Sequence, residues 1–72
     1  MATEKSIIFN RTVNHDDSVS EGMYYLSRQL NMEEAKVFFD EAYNKGHAEF
    51  QNRMGYHFRL VYHDGEYELV KA

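Results

Sequence analysis

The stretch HAEFQNRMGYHFRLVYHDGEYELV, residues 47–70, holds two turn signals that decide the fold. In its second half, His63-Asp64-Gly65-Glu66 carries the Asp-Gly pair of a two-residue type I′ hairpin, whose two central residues both need positive φ. With Asp64 and Gly65 as the loop, His63 faces Glu66, Tyr62 faces Tyr67 and Leu60 faces Leu69. Upstream, Arg53-Met54-Gly55 fits a three-residue loop with Gly in the left-handed position, which sets Phe50 against Phe58 and Ala48 against Leu60. Both hairpins give the same parity. Ala48, Phe50, Tyr56, Phe58, Leu60, Tyr62, Tyr67 and Leu69 fall on one face, and His47, Glu49, Gln51, His57, Arg59, Val61, His63, Glu66, Glu68 and Val70 on the other. Two independent turns that agree on one apolar face predict a three-stranded meander over 47–51, 56–63 and 66–71.

Such a sheet needs a cover. Residues 18–30 and 32–45 read as two short helices. Ser18 with Glu21 and Asn31 with Glu34 have the spacing of capping boxes, and the two boxes start thirteen residues apart. Val19, Met23, Leu26 and Leu30 make one apolar stripe; Ala35, Phe38, Phe39 and Ala42 make another, with Tyr43 at its margin. Gly46 reads as the residue that ends the second helix. Before them, residues 6–13 read as one strand with Ile7, Phe9, Arg11 and Val13 on one face and Ile8, Asn10 and Thr12 on the other. That strand either joins the edge of the meander or pairs with its copy in a second chain. The expected fold is therefore α+β, in the order β-α-α-β-β-β. It has an antiparallel three- or four-stranded sheet with two short helices on one face, in a single domain over residues 1–72.

Composition bounds the chemistry. The chain has 72 residues, no Cys, no Pro and four Gly, which excludes disulfide staples, thiolate chemistry and Cys-based metal sites. The formal net charge is −4, a balance that disfavours nonspecific attraction to nucleic acid or anionic lipid. The acidity is local: residues 16–45 carry Asp16, Asp17, Glu21, Glu33, Glu34, Asp40 and Glu41 against Arg28, Lys36 and Lys45. The opening residues MATEKSIIFN have neither a basic start nor a long apolar run, and no stretch has the length of a membrane span. A cytoplasmic protein is the expectation.

Few residues suggest catalysis. On the polar sheet face, Arg59 is expected between Glu49 and Glu68, with His57 and His63 further along the same strand. This cluster reads as a solvent-facing ion-pair ladder before it reads as an acid–base site, because an open face excludes water poorly. His57 and His63 lie six residues apart, about 20 Å along a strand, too far to share one metal ion. No cofactor or metal is expected, and the chain is read as non-enzymatic.

The segment Leu26-Ser27-Arg28-Gln29-Leu30-Asn31-Met32-Glu33-Glu34-Ala35-Lys36-Val37 resembles a helix-turn-helix pattern, with Asn at the turn and Val37 at a position usually apolar. The resemblance implies a winged DNA-binding regulator using residues 26–45 and the following hairpin. Its recognition helix would present Glu33, Glu34, Asp40 and Glu41, which repel phosphate, so nucleic acid is not the expected partner. A further alternative, an RNA-binding sheet, requires the aromatic face to be exposed. The preferred reading is a small acidic regulatory or protein-interaction module, homodimeric, with a basic protein as a possible partner. Its candidate interface residues are Tyr24, Tyr25, Val37 and Tyr43 on the helical layer, with Ile7 and Phe9 on the first strand.

Overall fold

In the computed structural model, residues 3–72 are described. The meander forms as the two turns dictate. Strand β3 (His47–Gln51) pairs antiparallel with β4 (His57–His63), and β4 with β5 (Glu66–Lys71). Ala48 faces Leu60, Phe50 faces Phe58, Leu60 faces Leu69, Tyr62 faces Tyr67 and His63 faces Glu66. Asp64 (φ 51°) and Gly65 (φ 82°) are both left-handed, as a type I′ turn requires, and Gly55 (φ 90°) is the left-handed residue of the other loop.

The sheet is larger than expected, and it is mixed rather than antiparallel. Residues 6–13 are not one strand. They belong to a hairpin of β1 (Glu4–Ile8) and β2 (Arg11–His15), turned at Phe9 (φ 48°) and Asn10 (φ 68°). Strand β2 lies parallel to β5, with Val13 opposite Tyr67, so five strands run in the order β1-β2-β5-β4-β3. The turn reverses the expected parity. Ile8 and Val13 are buried, whereas Ile7 is 67% exposed on the outer face. Phe9 leaves the strand for the turn and packs partly against the core. A Phe at the first turn position carries no Gly-like signal, which is why the apolar run Ile7-Ile8-Phe9 reads as uninterrupted strand. Arg11 steadies the turn by donating from Nη1 to the Phe9 carbonyl at 3.0 Å, and its guanidinium lies 5.0 Å from the centre of the Phe39 ring.

The first helical segment also starts differently. Asp16, not Ser18, is the cap: its carboxylate accepts from the Ser18 N–H and from the Ser18 hydroxyl, and Asp17–Val19 form a 3-10 turn. A five-residue helix α1 (Ser20–Tyr24) follows, then a wider π-type turn over Tyr25–Gln29. Helix α2 (Met32–Lys45) has the expected bounds. Its capping box is complete: Glu34 N–H donates to Asn31 Oδ1 at 2.8 Å, and Asn31 N–H to Glu34 Oε1 at 3.0 Å. Gly46 ends it in the left-handed region (φ 92°) and donates to the Ala42 carbonyl.

Both helical stripes pack on the same sheet face. Val19, Met23, Leu26, Ala35, Phe39 and Ala42 join Ile8, Val13, Ala48, Phe50, Phe58, Leu60, Tyr67 and Leu69 in one buried cluster. Phe39 meets Tyr67 edge to face, with ring centres 4.9 Å apart. The other sheet face is left without a helical cover. Among the described residues, no helix is long and apolar enough to cross a membrane.

Candidate functional site

The residue that organises the loop after β3 is Asn52, the one buried polar residue among those described. It ends β3. Its Oδ1 accepts from the Met54 N–H at 3.0 Å and the Tyr56 N–H at 2.9 Å, while its backbone N–H donates to the Tyr56 carbonyl at 3.0 Å. Gly55 N–H donates to the Asn52 carbonyl, and Gln51 Nε2 to the Gly55 carbonyl. Five hydrogen bonds within six residues hold the loop rigid and push its side chains outward. Met54 is 70% exposed. Tyr56, expected in the core, is 49% exposed, because ladder pairing stops at Gln51–His57 and Asn52 captures the Tyr56 amide.

Opposite this loop stands the start of the helical layer. A cleft of about 320 Å³ lies between Ser20, Tyr24 and Gln29 on one side and Asn52 and Met54 on the other. A second cleft, of about 500 Å³, is lined by Ser18, Tyr56, His57, Phe58 and Lys71. Glu21 lines both, so the two clefts adjoin at this residue, and the pair of them along the loop is the candidate groove. Its apolar contacts are Tyr24 (57% exposed), Met54 and Tyr56; Glu21 is its central charge, with Lys71 toward the far end.

The expected interface residues separate. Tyr24 lies on the groove, Val37 and Tyr43 are exposed on α2, and Tyr25 is half-buried and stacked on Phe50 at 5.7 Å. Val37 and Tyr43, six residues apart on a helix, point to different sides. Tyr43 leans on Tyr62 with ring centres 4.9 Å apart, while Val37 stands opposite the buried stripe. Ile7 is exposed on the outer sheet face, and Phe9 is half-buried in the β1–β2 turn. The apolar surface expected around Tyr24, Tyr25, Val37 and Tyr43 is thus not continuous, whereas Met54 and Tyr56 extend the part of it at Tyr24. In the sequence Met54 reads only as a loop residue; the signal that marks it is Asn52 directly before a three-residue turn.

The polar sheet face is a set of pairs rather than one cluster. Arg59 Nη2 donates to Glu49 Oε2 at 2.9 Å, and the guanidinium holds the Glu49 carboxyl below its ordinary range. Glu68 does not flank Arg59 as expected: the β5 residue opposite Arg59 is Val70, and Glu68 faces Val61 and, on β2, Asn14. His57 and His63 occupy opposite ends of β4, and His63 Nε2 lies 3.1 Å from Asp64. Glu66 accepts from Asn14 at 2.9 Å and from Lys5 at 3.1 Å, which together lower its carboxyl. Among the described residues no group of three or more His, Asp or Glu side chains is placed to hold a metal ion.

One contact was not foreseen. Ser6 Oγ and His15 Nε2 are 2.8 Å apart, brought together by the β1–β2 register. A Ser–His contact is half of a nucleophile–base arrangement, but His15 Nδ1 is buried without a partner. The nearest carboxylate in sequence, Asp16, is engaged by Ser18. The pair bridges β1 and β2 through their side chains. Phe58 and Tyr67 are buried against the helices and Tyr62 is half-buried, so the aromatic platform that an RNA-binding sheet needs faces inward. Comparison with family models, curated proteins and solved structures gives no match.

Proposed function

We propose that this chain is a non-enzymatic, cytoplasmic protein-interaction module, homodimeric, that holds a segment of a partner protein in the groove between α1 and the Asn52–Tyr56 loop. The observation that carries the reading is the exposure of Tyr24, Met54 and Tyr56 on a frame already fixed by hydrogen bonds. Tyr and Met are enriched at interface cores, and a loop that need not be ordered on binding avoids about 0.5–1.5 kcal/mol per immobilised side chain. Charge names the partner's chemistry. Glu21 at the junction of the clefts, with Asp16 and Asp17 just before α1, favours a segment carrying Lys or Arg between apolar side chains.

The DNA-binding alternative has less support. The solvent side of α2 carries Glu33, Glu34, Asp40 and Glu41, with Lys36 set 4.0 Å from Asp40. A peptide library displayed on phage and panned on the immobilised protein tests the reading. Enriched peptides should combine aromatic or aliphatic residues with a basic one. They should bind the Tyr24→Ala/Met54→Ala variant at least about ten-fold more weakly, the loss expected for truncating anchor side chains. Enriched peptides that bind this variant as well as the parent would overturn it.

A further inference from the structure

We infer that two copies of this chain join through the free edge of β3, in the antiparallel register that sets His47 of one copy against Glu49 of the other. The inference rests on the homodimeric part of the proposed function and is independent of the groove. Strand β3 is one of the two edges of the five-stranded sheet. The phase of its ladder is fixed at both ends: Tyr62 N–H donates to the Gly46 carbonyl and Asn52 N–H to the Tyr56 carbonyl. Even-numbered residues therefore direct their amides and carbonyls to β4, and His47, Glu49 and Gln51 direct theirs outward. This edge has no Pro, no Lys and no bulge, the usual devices that keep an edge single. The other edge, β1, carries Lys5, whose ammonium reaches across β2 to Glu66.

The core continues to this edge. Tyr25 stacks on Phe50 of β3 with ring centres 5.7 Å apart, Phe38 meets the same ring at a tilt with centres 5.2 Å apart, and both remain only half-buried. An added strand would cover their open sides. Electrostatics select the register. Centring the pair on Glu49 sets two carboxylates face to face, which is destabilising. Shifting it toward Gln51 sets Glu49 against a side-chain amide already donated to the Gly55 carbonyl. Setting His47 against Glu49 gives two equivalent cross-strand pairs. Glu49 binds Arg59 through Oε2, which leaves Oε1 to accept from the imidazole of the other copy. On the core side Ala48 then meets Ala48, and Phe50 lies across from Gly46, where a side chain would find open space.

Light scattering during size exclusion, from about 5 to 200 μM, reads the mass of the parent and three variants. Glu49→Pro removes an outward amide that no strand within the chain uses, so the monomer fold persists while strand addition is blocked. His47→Glu sets like charges opposite each other twice and should raise the dimer dissociation constant about ten-fold. The exchange His47→Glu/Glu49→His restores the pairs and should return it to within about three-fold of the parent. A dimeric parent, a monomeric but folded Glu49→Pro and recovery in the exchange support the inference. A dimer unaffected by Glu49→Pro overturns the edge while leaving a homodimer in place. If Glu49→Pro fails to fold, an exchange variant that associates no better than His47→Glu overturns the register. A parent that stays monomeric at every concentration overturns both.

Discussion

Asn52 shows how much one side chain can determine. Its side-chain Oδ1 takes the Met54 and Tyr56 amides just past β3, in a loop whose Met54 and Tyr56 side chains are exposed. Asn52→Ala would leave the Met54 and Tyr56 N–H groups without their side-chain acceptor, at a cost of about 0.5–1.5 kcal/mol for each hydrogen bond lost at these solvent-accessible amides. We expect a lower urea midpoint with an unchanged slope, together with weaker binding of groove peptides. A variant with the parent's midpoint would show that the loop is held by its backbone bonds alone. The turn at Arg53-Met54-Gly55 is legible in the sequence, but alternation continued one residue past the last ladder pair, Gln51–His57, puts Tyr56 in the core. Asn52 is polar and buried, and its role depends on the loop closing over it, which no periodicity reveals.

At the scale of elements, the parts legible in the sequence were those whose signals are local. The Asp64-Gly65 turn, the Gly55 loop, the Asn31–Glu34 box and the Gly46 stop each needed only a few adjacent residues, and each appears as read. The β1–β2 hairpin is not legible, because Phe9, unlike Asn10, is a residue that seldom takes positive φ, and the Arg11 contacts with the Phe9 carbonyl and the Phe39 ring are long-range or side-chain features that no local pattern displays. The parallel β2–β5 pairing is a long-range choice of the same kind. The fit of α1 on the sheet depends on Gly22: a Cβ there would meet Phe58 Cδ1 at 2.9 Å and Leu69 Cδ2 at 3.0 Å. Both neighbours are buried, so Gly22→Ala forces the helix or the core to shift. Overpacking costs about 1–3 kcal/mol, against a helix-propensity gain of about 1 kcal/mol. The thermal midpoint should fall by several degrees. A rise would show that α1 can slide over Phe58 without strain.

For the whole molecule, the two sheet faces divide the work: one is closed by helices into the core, and the other carries separate ion pairs. The Asp16, Glu49 and Glu66 carboxyls are all held below their ordinary values of 3.8 for Asp and 4.5 for Glu. The causes are the Ser18 hydroxyl and amide, Arg59, and Asn14 with Lys5. A carboxyl depressed in the folded state stabilises it above the unfolded value and loses that contribution as pH falls through the folded one. The urea midpoint should therefore decline below about pH 4.5, and less steeply in the Asp16→Asn/Glu49→Gln/Glu66→Gln variant. Equal declines would assign acid sensitivity to other carboxylates. Partner binding in the groove is read out by amide chemical-shift mapping of the isotope-labelled protein with a library-selected peptide. Shifts should cluster at Ser18–Tyr24 and Asn52–His57; shifts centred on the solvent side of α2 or on the Glu49–Arg59 face would place the bound segment elsewhere and overturn the groove.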